Sequence, residues 1–111
     1  MSADRAAATT APAWPYPRVL AHRGGGSLAP ENTIAAISLG AARGQSAVEF
    51  DAMLARDGVP VLIHDPTLDR TTDGRGAVGR LSAAELARLD AGSWHSAHFA
   101  GEPVPALTRA L

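Results

Sequence analysis

The sequence contains no cysteine and no long apolar run, and each absence excludes a class of protein. Without cysteine there can be no disulfide or thiolate metal site, so a bound metal would need oxygen or imidazole ligands. No run approaches the roughly 18 apolar residues of a membrane-spanning helix, and we expect no transmembrane segment. The start of the chain lacks the basic and apolar stretches of a secretory signal, so we expect a cytoplasmic location.

Charge of neither sign predominates, since 10 basic residues stand against 11 acidic residues and the formal net charge is -1. A chain of this kind has no general attraction to nucleic acid or to anionic lipid, and we expect no nucleic-acid partner. Hydrophobic residues make up 46% and charged residues 19% of the sequence, as is usual for a folded globular protein. Any recognition of a phosphate group must therefore be local.

The composition changes near residue 16. Residues 1–16 are rich in alanine, threonine and proline without a periodic apolar pattern, and we predict a flexible leader there. Residues 17–111 carry the apolar segments and form the predicted folded part, which has the length of one small domain or of part of one.

The first elements of the folded part are predicted to be a strand and a helix. Residues 17–21 form a short apolar segment that runs into the glycines at 24–26, which we interpret as space for a substrate. Residues 30–43 have a helical composition that begins with proline and an acidic residue and stops at Gly44. The pattern is typical of a strand that passes through a loop into a helix.

The second strand is predicted at residues 47–51, where alternation places Glu49 and Asp51 on one face. Extended segments follow at 53–56 and 59–64, with a turn signal between them. With the preceding strand and helix, this order predicts the beginning of a parallel α/β array, two or three units of a (β/α)₈ barrel that needs about 250 residues.

The remainder of the chain is predicted to be a long polar loop and a short helix. Residues 65–79 form a loop of unusual length, which indicates a functional or mobile segment. Ser82 and Glu85 form a capping box that opens a helix closing near Gly92. The segment after Trp94 is mostly loop.

Side chains with useful chemistry come at the ends of the successive extended segments. His22 ends the first, Glu49 and Asp51 end the second, and His64 ends the last. In parallel barrels, reactive groups converge at the carboxyl ends of the strands. We therefore expect the two histidines and the two carboxylates to share one site.

These motifs resemble those of the glycerophosphodiester phosphodiesterase family. The resemblance covers about Val19 to Leu107 and keeps the order and the separations of the family's motifs. A single tripeptide would be a weak signal, whereas five motifs in order are specific. The five motifs are His22-Arg23-Gly24, Pro30-Glu31-Asn32-Thr33, Glu49-Phe50-Asp51, His64-Asp65 and Thr71-Thr72-Asp73-Gly74.

The resemblance implies the N-terminal portion of a TIM barrel of the phospholipase C-like phosphodiesterase type. It implies hydrolysis of glycerophosphodiesters, which are small-molecule substrates of glycerophospholipid metabolism, to an alcohol and glycerol 3-phosphate. By the same resemblance, His22 and His64 are the catalytic acid and base, in an order that the sequence does not decide, and Arg23 binds the phosphate. Glu49 and Asp51 are the metal ligands, and their oxygen atoms suit Mg²⁺ or Ca²⁺.

Other polar residues allow more than one interpretation. Glu31 and Asn32 match a family motif near the site, but a helix start also favours acidic and amide groups. Both interpretations of Glu31 stay open. Several further residues are interpreted as ordinary loop charges or as packing residues: Asp69, Arg70, Arg75, Trp94, His95 and His98.

The resemblance also implies a third carboxylate ligand and a lysine on a strand beyond Leu111. We therefore expect the chain as given to be poorly active and to self-associate or aggregate through an open barrel edge. It would be a truncated and inactive product, an incomplete reading of a longer gene, or a fragment that joins another chain. A related TIM-barrel phospholipase D-like phosphodiesterase is the alternative enzyme, although the Pro-Glu-Asn-Thr motif and the His-Asp loop favour the first family.

Overall fold

The computed structural model describes residues 20–111, so the predicted leader at 1–16 lies outside the described residues. The strands are β1 (Ala21–His22), β2 (Val48–Glu49), β3 (Ala52–Leu54) and β4 (Pro60–Leu62). The α-helices are α1 (Ile34–Ala42), α2 (Ala83–Leu86) and α3 (Leu107–Ala110), and 3₁₀ turns lie at Gly26–Leu28, Val78–Arg80 and Ala97–Phe99. None of the helices in this part of the chain has the length and apolar character needed to cross a membrane.

The predicted order of strand, helix and strand is confirmed at the start of the described chain. β1 and β2 pair in parallel, with Ala21 opposite Val48 and His22 opposite Glu49. A parallel pair needs a crossover, which α1 supplies. The helix ends as expected before Gly44, which adopts the left-handed backbone conformation (φ 87°) that is common after a helix.

Helix α1 begins four residues later than predicted, at Ile34 rather than at Pro30. Thr33 caps it, because its side-chain oxygen accepts a hydrogen bond from the Ala36 N–H at 3.1 Å. Asn32 has a φ of 58°, which is incompatible with a right-handed helix. The residues from 30 to 33 therefore form a tight turn that enters the helix.

The second pair of strands corrects the prediction of a continuing parallel array. β3 and β4 form an antiparallel hairpin in which Met53 lies opposite Val61. The turn between them contains Gly58, with a φ of 78°. A link this short cannot connect parallel strands, which require a crossover of a dozen or more residues. Within residues 20–111 the chain thus forms one strand–helix–strand unit followed by a hairpin.

The main hydrophobic core belongs to the hairpin and the segments that follow it. The Leu62 N–H donates to the Pro105 carbonyl at 2.9 Å, so the chain near residue 105 extends the hairpin. The loop at 65–79 is anchored in this core by the fully buried Leu68. The buried residues of the core are Ala55, Val61, Ile63, Leu68, Val78, Leu86, Ala91 and Val104.

Helix α2 confirms the predicted capping box but is shorter than expected. The Ser82 side chain accepts from the Glu85 N–H at 3.1 Å, and the Glu85 carboxylate accepts from the Ser82 N–H at 2.9 Å. The helix ends at Leu86 rather than near Gly92. After Leu86 the hydrogen bonds change to a tighter pattern, with the Leu89 N–H donating to the Leu86 carbonyl at 3.1 Å. Asp73 then bonds to both backbone groups of Asp90, at 2.9 and 3.1 Å, so residue 90 pairs with the loop rather than with a helix.

Replacing Ser82 with alanine is expected to lower the free energy of unfolding by about 1 kcal/mol, because the first turn of α2 loses its cap. Urea denaturation followed by circular dichroism measures the change. Ser38→Ala is the matched control, since Ser38 is exposed in the middle of α1 and alanine favours helix there. Equal unfolding midpoints for the two variants would contradict the structural role of the box.

Candidate active site

The paired ends of β1 and β2 place a histidine beside a carboxylate. His22 and Glu49 occupy opposite positions in the parallel register, and His22 Nε2 lies 3.8 Å from Glu49 Oε1. The same Glu49 oxygen accepts the backbone N–H of Arg23 at 3.1 Å. The His22 side chain is 68% exposed, so it can reach a molecule bound at this edge.

Arg23 follows β1 with a backbone φ of 51°. Its guanidinium donates to Glu31 Oε1 at 3.1 Å, and its Nε lies 3.6 Å from Asp51 Oδ2. Nε is buried, yet it makes no hydrogen bond to any residue in the described range 20–111. A buried donor without an acceptor costs about 1–3 kcal/mol, which an incoming anionic oxygen could recover.

Asn32 joins the loop after β1 to the chain after β2. Its side chain donates to Asp51 Oδ2 at 3.2 Å and accepts the Asp51 backbone N–H at 2.9 Å, while its own N–H donates to the Arg23 carbonyl at 2.8 Å. Asn32 is only 3% exposed. Asparagine is among the few residues that tolerate a positive φ. Asn32 therefore meets two requirements, the positive φ of the turn and the side-chain hydrogen bonds to Asp51.

His64 follows the hairpin and lies against its neighbour in sequence. His64 Nδ1 is 2.8 Å from Asp65 Oδ1, and the histidine side chain is 43% exposed. Arg70 donates to both oxygens of Asp65, at 2.9 and 3.0 Å. The hydrogen bonds from Arg70, with that from His64, hold the pKa of the Asp65 carboxyl far below its usual range.

The interpretation of Arg70 as an ordinary loop charge is wrong. Besides Asp65, its guanidinium binds Glu31 through two hydrogen bonds of 3.1 and 2.9 Å. These two carboxylates raise the pKa of Arg70 above its ordinary value. Glu31 therefore lies between Arg23 and Arg70 and does not cap α1. No local sequence pattern could have shown this contact, because the two partners are 39 positions apart.

The first two glycines after Arg23, Gly24 and Gly25, pack against α1 and do not make room for a substrate. A β-carbon on Gly25 would lie 2.9 Å from the Ala36 carbonyl oxygen, and one on Gly24 would lie 3.0 Å from the Ile37 nitrogen. Gly26 alone faces open space. The interpretation of the triplet as substrate space is therefore wrong for Gly24 and Gly25, which let the loop pack directly on the helix.

The structure joins the predicted site residues in one network of charges and hydrogen bonds. The residues from β1, β2 and the turn before α1 touch one another directly, whereas His64 is joined to them through Asp65 and Arg70. The Thr71–Gly74 motif is structural, since Thr72 is buried and donates to the Leu68 carbonyl at 2.7 Å. The residues of the network are His22, Arg23, Glu31, Asn32, Glu49, Asp51, His64, Asp65 and Arg70.

The carboxylates at and just after the end of β2 suit a hard divalent cation. Glu49 and Asp51 are half-buried carboxylates, and one oxygen of each, Oε2 and Oδ1, makes no hydrogen bond within residues 20–111. Mg²⁺ and Ca²⁺ prefer such oxygen ligands, and Mg²⁺ often uses one or two carboxylates with substrate phosphates and water. In the described range no cluster of three acidic or histidine side chains has the spacing of a complete metal site.

Acid is expected to destabilise the fold chiefly through Asp65 and Asp90, the two carboxyls whose pKa values the structure lowers most. For Asp90 the cause is hydrogen bonding from the side chain and backbone of Ser93, then from the backbone of Gly92. A carboxyl with a lowered pKa in the folded state contributes stability above its unfolded pKa, near 4, and loses it as the pH falls. Urea midpoints should thus fall below pH about 4, and Asp90→Asn should flatten this dependence.

Solved structures with a similar fold place the chain in a class of proteins. A phosphodiesterase of Oleispira antarctica, solved with its product sn-glycerol-3-phosphate, is 48% identical and superposes with a TM-score of 0.82 over 85% of this chain and 38% of that chain. A glycerophosphodiester phosphodiesterase of Agrobacterium tumefaciens is also 48% identical, with a TM-score of 0.74 over 78% of this chain and 37% of that chain. The fold is thus α/β and corresponds to part of a TIM barrel, which confirms the predicted fold class.

The family follows from the sequence comparisons. The model of the glycerophosphoryl diester phosphodiesterase family matches residues 22–111, and the chain belongs to this family. The glycerophosphodiester phosphodiesterase of Caldanaerobacter subterraneus is 46% identical over 89 residues, which are 80% of this chain and 37% of the relative. The chain thus spans little more than a third of the length of such relatives. Enzymes of the family generally depend on a divalent metal.

Proposed function

We propose that this site binds the phosphate of a glycerophosphodiester and hydrolyses the ester to an alcohol and glycerol 3-phosphate. The observation that carries the proposal is the buried Nε–H of Arg23, which lies among the site carboxylates without an acceptor in residues 20–111. A guanidinium suits a phosphate because it can donate several hydrogen bonds in one plane. The product in the Oleispira antarctica structure supports this choice of ligand.

The two histidines supply the proton transfers in this proposal. One imidazole accepts a proton from the water whose oxygen bonds to phosphorus, and the other donates a proton to the alkoxide as its bond to phosphorus breaks, so that the alcohol leaves neutral. His22 and His64 suit this work because each imidazole ring has nitrogens that can accept or donate a proton. The His22 side chain is 68% exposed and the His64 side chain is 43% exposed, so a substrate could reach both.

Glu49 and Asp51 would hold the divalent metal, with Mg²⁺ and Ca²⁺ as the candidates. When bound, such an ion supplies Lewis-acid stabilisation of the charge on the phosphate oxygens. Arg23 shares this task, since its position beside Asp51 brings a fixed positive charge to the same oxygens. We also assign the family domain to residues 17–111, a boundary that the family match over 22–111 supports.

A second function has one observation in its favour. Within residues 20–111 no third acidic or histidine side chain joins Glu49 and Asp51 in a metal-binding cluster. A site with two carboxylate ligands could bind a phosphate ester and a cation weakly without turning the ester over. This alternative keeps the recognition by Arg23 and removes the catalysis.

One experiment separates the two functions. The purified 111-residue protein is incubated with glycerophosphocholine and Mg²⁺ or Ca²⁺, and glycerol 3-phosphate is measured enzymatically, while calorimetry measures the binding of glycerol 3-phosphate. We expect slow release, in keeping with a poorly active chain, and this release should stop when EDTA removes the metal. Binding without release would favour the second function, and the absence of both would refute the proposal.

A further inference from the structure

We propose that Arg70 is a positioning residue that fixes Asp65 against His64 Nδ1 and thereby presents His64 Nε2 to the substrate. The inference rests on the proposed function for its catalytic meaning, but its structural part can be tested alone. Arg70 would act through other residues and would not touch the substrate. Its second carboxylate partner, Glu31, joins the same guanidinium to the phosphate-binding Arg23.

All three nitrogens of the Arg70 guanidinium donate hydrogen bonds. Nε and NH2 donate to the two oxygens of Asp65 at 2.9 and 3.0 Å, and NH1 and NH2 donate to the two oxygens of Glu31 at 3.1 and 2.9 Å. Paired hydrogen bonds of this kind fix the plane of a carboxylate as well as its position. Lysine has a single ammonium group and cannot hold two carboxylates in this way.

The arginine itself sits on a fixed support. Its neighbours Thr71 and Thr72 are buried, and the Thr72 hydroxyl and N–H both bond to the carbonyl of Leu68. Leu68 is fully buried in the core, and its N–H donates to the Gly76 carbonyl at 2.9 Å. The sequence indicates that the loop at 65–79 is functional or mobile, but the structure shows that this loop is packed against the core on both sides of Arg70.

The orientation of His64 follows from the chemistry of Asp65. An ionised carboxylate can only accept a hydrogen bond, so the contact of 2.8 Å requires a proton on His64 Nδ1. In the neutral imidazole the other nitrogen, Nε2, then carries a lone pair. The paired hydrogen bonds from Arg70 hold this carboxylate in place, and they also lower the pKa of the Asp65 carboxyl. Without this support Asp65 could rotate, and the neutral ring could exchange the proton between its nitrogens.

The first test measures the imidazole directly. Nuclear magnetic resonance of the ¹⁵N-histidine-labelled protein reports which ring nitrogen of neutral His64 is protonated. We expect Nδ1–H in the native protein and in Arg75→Met, and a shift towards Nε2–H in Arg70→Met. Arg75 is the matched control because it lies on the same loop, is 79% exposed and, within residues 20–111, has a single ion pair of 3.7 Å. An unchanged His64 tautomer in folded Arg70→Met would overturn the proposal.

Arg70→Lys decides the question if Arg70→Met does not fold, since it keeps the positive charge but not the paired hydrogen bonds. We expect it to show the tautomer shift in part, and a fully native signal would overturn the proposal. In the phosphodiesterase assay, Arg70→Met should lower kcat about 10-fold to 100-fold with little change in KM, a loss of the size that follows removal of the partner of a metal-binding histidine. If the native chain releases no glycerol 3-phosphate, the proposed function fails while the tautomer comparison still decides the role of Arg70.

Discussion

Replacing His64 with alanine is expected to lower the rate of glycerol 3-phosphate release by about 10²-fold to 10⁴-fold, the usual contribution of a general acid or base. His64 Nδ1 contacts Asp65 and the residue is exposed, so in our proposal the other ring nitrogen, Nε2, serves the substrate. His98→Ala is the matched control, because His98 is exposed on a 3₁₀ turn outside the network and touches Phe99 through its ring. An equal loss in both variants would show that the change is not specific to the site.

The same variants can assign the acid and the base, which neither the sequence nor the register of β1 and β2 distinguishes. A nitrophenyl phosphodiester has a leaving group that departs without protonation, so it does not need a general acid. The variant that lacks the acid should therefore hydrolyse this ester at nearly the native rate, and the variant that lacks the base should not. If His22→Ala and His64→Ala lose equal activity on both substrates, the division of roles between them is wrong.

Local patterns in the sequence predicted the elements that depend on local interactions. The capping box of Ser82 and Glu85 needs only residues three positions apart, and it forms as predicted. The turn signal at Asp57-Gly58 was also visible, since a glycine there permits a positive φ. Its consequence, an antiparallel hairpin in place of a parallel strand, follows from the length of that turn.

Contacts between residues that are distant in the sequence could not be predicted from local sequence patterns. Helix α1 starts late because Asn32 adopts a positive φ while its side chain binds Asp51, 19 positions away. Arg70 was missed for the same reason, since its partner Glu31 belongs to another loop. By contrast, the family's motifs identified the two histidines and the carboxylates Glu49 and Asp51 as candidates, because a motif specifies residue types directly and does not depend on contacts in the fold. The site roles of those residues stay predictions until the variants are measured.

Replacing Arg23 with methionine is expected to weaken glycerol 3-phosphate binding and to lower turnover by about 10²-fold to 10³-fold, the usual cost of losing one donor to developing charge. Methionine keeps much of the length of the side chain but removes the buried Nε–H and the ion pair with Glu31. Glu31 keeps its two hydrogen bonds from Arg70, so the carboxylate stays partnered and the fold should survive. Calorimetry and the release assay measure the two effects separately.

Arg43→Met is the matched control for this change, since Arg43 is exposed at the end of α1 and lies outside the network. Lysine at position 23 refines the test, because it restores the positive charge without the guanidinium plane. Partial recovery of binding with little recovery of turnover would mean that charge attracts the phosphate while the guanidinium geometry stabilises the transition state. Native binding in Arg23→Met would instead show that the unpaired Nε–H is not the phosphate donor and would leave the histidines without a substrate fixed beside them.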